Sequence, residues 1–203
     1  MWCSVVCWLV LISTVGVGLT NALGDFQPQQ VHISLGENNT DIMVTWVTSS
    51  PTNNSVVEYG TSNLALRATG NATLFTDGGS LQRQMWMHRV KLPNLTPGTR
   101  YYYHCGSDLG WSAIFTFKTW PSGNNWKLRA AMYGDLGAVN GQSLARLQED
   151  VTKGMYDVIV HVGDFAYDMD TNDAEVGDMF MRNIEPIAGY VPYMTCPGNH
   201  EHA

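Results

Sequence analysis

The sequence predicts a β-sandwich followed by an α/β domain with a mostly parallel sheet. Two changes of texture carry the prediction. From about Phe26 to Trp120, short apolar segments are punctuated by turn residues such as Glu37-Asn38-Asn39 and Pro97-Gly98, the pattern of many short antiparallel strands. After the linker Pro121-Ser122-Gly123-Asn124-Asn125, three short apolar runs alternate with two stretches whose apolar residues recur at helical spacing. That strand–helix order implies parallel strands with helices packed on them. A third observation concerns chemistry: each of the three runs ends in a loop that holds glycine and oxygen-bearing side chains.

Along the chain, Trp2 to Leu19 is nearly all apolar, with small residues at Thr20 and Ala22. Residues 1–22 therefore read as a secretory signal peptide cleaved after Ala22. A retained signal anchor is the alternative, for which the stretch is marginal in length, so no stable membrane span is expected. Secretion has independent support in four Asn-x-Ser/Thr sequons, at Asn38, Asn53, Asn71 and Asn94, each a candidate glycosylation site. Across the 203 residues, 44% are hydrophobic and 14% charged, which fits a folded globular chain, and the net charge of -7 argues against a nucleic-acid partner. Cys105 and Cys196 fall one in each domain; they can pair or remain two buried thiols.

Within the first domain (26–120), the expected strands are Val31–Leu35, Ile42–Val47, Val56–Tyr59, Met85–Leu92, Arg100–Cys105 and Ala113–Lys118. Ile42, Val44 and Trp46 alternate with Met43, Thr45 and Val47, the period-two signature of a half-buried strand. The run Leu95-Thr96-Pro97-Gly98-Thr99-Arg100-Tyr101 resembles the corner of a fibronectin type III domain, where a Tyr bonds back to nearby backbone.

In the second domain (126–203) the strands are Leu128–Tyr133, Val158–Val162 and Val191–Cys196. The helical stripes are Leu144, Leu147, Val151, Met155 and Val176, Met179, Phe180, Ile184, Ile187. Parallel strands bring their carboxyl ends to one edge, where ligands bind in open sheets. Asp135, Asp164, Tyr167, Asn199 and His200 stand in the loops at those ends. His161 lies inside a buried run and is expected as a hydrogen-bonded core residue; Asp168 and Asp170 are expected in a solvated loop, and Glu201 as an orienting residue.

The ordered set Asp135-x-Gly137, Gly163-Asp164-x-x-Tyr167 and Gly198-Asn199-His200-Glu201 resembles the first blocks of the metallophosphoesterase family in its purple acid phosphatase branch. Gly137 stands where the wider family has His, and Tyr167 where it has Asp, which marks the purple branch. The fibronectin-like domain in front matches the larger plant-type and animal members. The resemblance implies a metallophosphoesterase α/β domain and a dinuclear centre. Asp135 and Tyr167 would ligate Fe(III), Asp164 would bridge, and Asn199 would hold a divalent Zn, Fe or Mn. His200 would contact phosphate or leaving group. Hard carboxylate and phenolate oxygens suit ferric iron, and two ions about 3.5–4 Å apart clamp phosphate and acidify water. The substrate so implied is a small phosphate monoester; a homodimer of the full-length form stays open. The later blocks with three histidine ligands lie beyond Ala203, so the chain is expected to be an inactive fragment with a marginally folded second domain. Two other readings remain: a secreted fibronectin-like binding protein with a remnant phosphoesterase domain, or another two-metal phosphoesterase.

Overall fold

The computed structural model describes residues 24–202; the leader sequence at 1–22, with Cys3 and Cys7, lies outside them. The first domain contains β1 (Gln29–Leu35), β2 (Ile42–Thr48), β3 (Ser55–Gly60), β4 (Leu66–Thr76), β5 (Gln84–Leu92), β6 (Arg100–Ser107), β7 (Gly110–Trp111) and β8 (Phe115–Lys118). The strands run in the order β1-β2-β5-β4-β3-β6-β7, with β8 also on β6, and every pair is antiparallel. β4 pairs with β3 through Leu66–Gly70 and with β5 through Asn71–Thr76. One long strand thus turns the corner between the two layers of the expected sandwich. Inward residues of both layers, among them Ile33, Val44, Trp46, Val57, Val90, Tyr103 and Phe117, form one core. The predicted alternation in β2 holds as far as Trp46: Ile42, Val44 and Trp46 are buried and Met43 and Thr45 half-buried, but Val47, expected on the outer face, is buried as well. The Tyr101 hydroxyl accepts a hydrogen bond from the Thr96 backbone N–H at 3.1 Å, the corner that the Pro-Gly turn announces.

β4 escapes sequence reading for a physical reason. Nearly all of it is exposed or half-buried, and of its residues only Ala68 packs on the core. Without a buried face it carries no period-two signal.

The second domain contains β9 (Ala130–Tyr133), α1 (Leu144–Thr152), β10 (Val158–Val162), α2 (Glu175–Ala188), β11 (Tyr193–Cys196) and a 3-10 turn at Asn199–Glu201. β10 lies between β9 and β11, parallel to both. Leu147 and Val151 of α1, and Phe180, Ile184 and Ile187 of α2, are buried around Ile159, each worth about 1.5–3 kcal/mol of burial. Met155 departs from its predicted stripe: α1 ends at Thr152 and Met155 is exposed, because Gly154 closes the helix with its N–H on Val151 O. Among the described residues Cys105 and Cys196 do not pair; Cys105 is buried and Cys196 exposed, so only one fits the expectation of buried thiols.

The domains are joined by specific contacts. A register shift in β1 between Gln29 and His32 frees the Val31 N–H from the ladder. Glu185 on α2 accepts it at 2.9 Å, and Gln30 donates its side-chain amide to Asp178 at 2.9 Å. Asp178 is also paired with Arg83 at 2.6 Å. The Tyr103 hydroxyl, inside the first core, donates to Gly189 O at 2.7 Å. Among the described residues no helix is long and apolar enough to cross a membrane.

Candidate metal centre

The three parallel strands end side by side, and their loops are stitched together by backbone bonds. Asp135 N–H donates to Gly163 O at 3.2 Å, Gly163 N–H to Cys196 O at 2.9 Å, and Gly137 N–H to Phe165 O at 2.9 Å. Glu201 completes the joint: its carboxylate accepts from the N–H groups of Asp164, Phe165 and Gly198, each at 2.8 Å. Those bonds stabilise the carboxylate, and the Glu201 pKa lies below its ordinary value despite opposing burial. Glu201 therefore orients two loops, as the sequence suggests.

The loops meet so closely that glycine is required. A Cβ on Gly163, which has φ +70°, would lie 2.7 Å from Gly198 Cα, and one on Gly198 would lie 2.3 Å from Asp164 Oδ1. Backbone strain is concentrated here as well: Asp135, Asp164, Tyr167 and Asp168 all take left-handed φ, between 51° and 63°. Non-glycine residues pay for that conformation, and such strain gathers at functional sites.

The Tyr167 hydroxyl donates to Asp135 Oδ1 at 2.7 Å. This hydrogen bond to a carboxylate, followed by partial burial and the nearby charges of Asp135 and Asp164, pushes the phenol up to about 12. Asp164 Oδ1 accepts the His200 backbone N–H at 3.1 Å, and the rings of Tyr167 and His200 meet edge-on at 4.8 Å. Asn199, one residue before His200, is exposed. Asp135, Asp164, Tyr167 and His200 are thus brought into one patch at the sheet rim, with Asn199 on its border.

Asp168 lies in an exposed loop, as the sequence suggests, and its carboxylate also accepts from His200 Nδ1 at 2.8 Å. That hydrogen bond, against the opposing effect of burial, raises the His200 pKa. No sequence signal announces this bond: it depends on the left-handed backbone at Tyr167 and Asp168. His161 is a core residue as expected: fully buried, with Nδ1 2.7 Å from the Tyr193 hydroxyl, which also receives the Tyr133 hydroxyl at 3.0 Å.

Among the described residues no three His, Cys, Asp or Glu side chains gather around one point. The patch offers two carboxylates, a phenol and an amide. That donor set fits one hard, highly charged cation: two oxygens 2.7 Å apart already share a single proton, which a metal ion can replace. All four candidate glycosylation sites, Asn38, Asn53, Asn71 and Asn94, are exposed.

Known proteins were compared with this chain. Residues 28–119 match the family model of the purple acid phosphatase N-terminal domain, and residues 128–203 match that of the calcineurin-like phosphoesterases. Human acid phosphatase type 7 is 48% identical over 96% of this chain, which spans 45% of that relative. An Arabidopsis thaliana protein named Fe(3+)-Zn(2+) purple acid phosphatase 12 is 28% identical over 88% of the chain, which spans 39% of it. The solved purple acid phosphatase PPD1 from yellow lupin superposes with a TM-score of 0.71 at 26% identity, over 86% of this chain and 36% of its own.

Proposed function

Because the chain belongs to the purple acid phosphatase family, we propose that it carries the first part of a dinuclear centre hydrolysing phosphate monoesters in the secretory pathway, on a glycosylated chain. In this reading Asp135 and Tyr167 hold Fe(III), Asp164 bridges, and Asn199 holds a divalent zinc, iron or manganese. The iron–zinc pair in the name of the Arabidopsis relative supports that choice. When bound, the two ions neutralise phosphate charge and acidify the attacking water.

The chain's own residues prepare that chemistry. Tyr167 shares its proton with Asp135 and must release it to act as a ligand. The Asp164 carboxylate is held between the Gly198 backbone and the His200 N–H, which aims it. His200, with Nδ1 committed to Asp168 and its pKa raised, is the catalytic residue; it presents Nε2–H to a phosphate oxygen or to the departing alkoxide. The exposed asparagines carry the proposed glycans.

The observation that supports this reading most is the 2.7 Å Tyr167–Asp135 contact between residues whose backbones are both left-handed. Ferric ion added to the chain is expected to give a visible phenolate-to-iron absorption band. That band disappears in Tyr167→Phe and persists in Asn199→Ala. No band, or one indifferent to Tyr167→Phe, rejects the proposal. For the second ion the described residues supply only Asp164 and Asn199, fewer donors than a tight divalent site needs. The 203-residue chain alone is therefore expected to hydrolyse no chromogenic phosphate monoester above a metal-free control.

A further inference from the structure

The amino-terminal ends of the three parallel strands open onto a second site, a cleft of about 790 Å³ between the domains. Arg129, Asp157 and Pro192, which immediately precede β9, β10 and β11, all line it. It therefore lies at the opposite end of the sheet from Asp135 and Asp164. Its volume falls in the range of small-molecule sites.

The charge lining it is unlike the rest of the molecule. The chain carries a net -7 with eleven Lys and Arg, yet five of those, Arg100, Lys118, Lys127, Arg129 and Lys153, line this cleft against a single carboxylate, Asp157. Two of the five are already compensated: Arg129 is held by Asp157 at 2.8 Å, and Lys153 is paired with Glu149. Arg100, Lys118 and Lys127 make no ion pair among the described residues. Arg100 and Lys118 belong to the first domain, and Lys127 follows the linker. Between them stand Trp120 and Trp126, with ring centroids 5.7 Å apart. Their indole N–H groups are spent on Asp157 O and Gly123 O, each at 3.0 Å, so what they offer a ligand is ring surface.

We propose that this cleft binds a compact polyanion bearing several phosphate or sulfate groups, seated between the domains and independent of the metal centre. Uncompensated cations converging from both domains attract multiply charged oxyanions, and a concave wall strengthens that field. Guanidinium and ammonium groups are the usual donors to phosphate-type oxygens, and the indole faces give an organic scaffold apolar contact. Because the ligand touches both domains, its binding stabilises their junction as well as itself.

Isothermal titration calorimetry on the chelator-washed chain tests this, since washing removes any anion held by metal. Tripolyphosphate and a trisulfated heparin disaccharide are the two probes, one for each source of the anion. At least one is expected to bind at micromolar to submillimolar concentration, weaken as salt rises, and raise the melting temperature. The combined variant Arg100→Gln, Lys118→Gln, Lys127→Gln is expected to bind at least tenfold more weakly. Arg67→Gln, an exposed cation outside the cleft, should bind as the parent does. The proposal is overturned if neither probe binds, or if the triple variant binds as tightly as the Arg67→Gln control.

Discussion

Each domain seals one histidine from solvent, and the two rings are finished differently. His88, in the sandwich, is satisfied on both nitrogens: Nε2 lies 2.9 Å from Thr48 Oγ1 and Nδ1 2.8 Å from Ser55 Oγ. Its ring stacks on Trp46 at 4.9 Å. His161, at the centre of the parallel sheet, uses only Nδ1; its buried Nε2 has no partner among the described residues. The backbones repeat the contrast. Left-handed non-glycine residues in the first domain are Gln30, Gln82 and Asn94, whereas Asp135, Asp164, Tyr167, Asp168, Asn172, Asp173 and Ala174 crowd the second. Met132 and Val162, on β9 and β10, are 69% and 49% exposed. In the sandwich the buried ring is satisfied and left-handed residues are few, although Asn54 Oδ1 has no partner among the described residues and Leu81 and Ile114 are exposed there too. The parallel sheet leaves its central ring nitrogen unpartnered and gathers most of the left-handed non-glycine residues beside its chemistry, which is where such costs collect.

The contrast is broken most forcefully in the scaffold. Trp46, 1% exposed, is among the largest buried side chains of the first core, and Trp46→Ala is expected to cost about 3–5 kcal/mol in chemical denaturation. If the sandwich supports the second domain through Glu185 and Tyr103, both domains should then unfold in one earlier transition. A second domain that melts at its original midpoint would show the two to be energetically separate.

Acid tests the paired histidines next. Burial lowers both His88 and His161 to about 4 from an ordinary 6.5. A lowered histidine pKa means that the unfolded chain binds more protons between those values. Stability is therefore full above pH 6.5 and lost as pH falls toward 4, by at most about 3 kcal/mol per ring. Denaturation midpoints at pH 7.5 and pH 5 should show the slope, and His161→Phe should reduce it, the remainder coming from His88 and from His32, which burial also lowers. An unchanged slope in that variant would mean that His161 is not held neutral.

The junction comes third. Asp178 keeps only 7% of its side chain exposed and is paired with Arg83. Arg83→Ala leaves that carboxylate with Gln30 as its remaining partner across the interface, at an expected cost of about 2–3 kcal/mol. A loss below about 0.5 kcal/mol, the range of an exposed surface pair, would mark the pair as solvent-screened.

How far the sequence reaches follows the same division. Ile42, Val44 and Trp46 announce β2 because alternate burial leaves a period-two trace, and Phe180, Ile184 and Ile187 announce α2 by their helical stripe. β4 leaves no trace because its ladder hydrogen bonds are made by backbone, which carries no residue code. In the site, the loops are legible one by one as motifs, and the structure brings Asp135 and Tyr167 into contact. The Asp168–His200 bond is illegible, since it depends on a left-handed φ at Asp168 that no residue type dictates. The Glu185 contact with Val31 is equally hidden, because it follows from a bulge in a strand 154 residues away. Such long-range pairings depend on topology, which local patterns do not encode.

The smallest expected effect on stability separates scaffold from chemistry most sharply. Gly198 has an extended φ of -102°, so alanine there meets no backbone penalty from handedness. Its methyl group would nevertheless stand 2.3 Å from Asp164 Oδ1 and 2.6 Å from Asp164 N, and the Asp164 loop must move away. The displacement is local: Glu201 still ties the loops, and the buried residues around Ile159 are untouched. Gly198→Ala should therefore cost about 1–2 kcal/mol, while ferric affinity, read from the visible band, should fall about tenfold or more, as when a group orienting a ligand is disturbed. Equal losses in Gly198→Ala and in Gly78→Ala, where a methyl would meet nothing within 4 Å, would mean that the site tolerates movement of Asp164 and that its close packing serves folding alone.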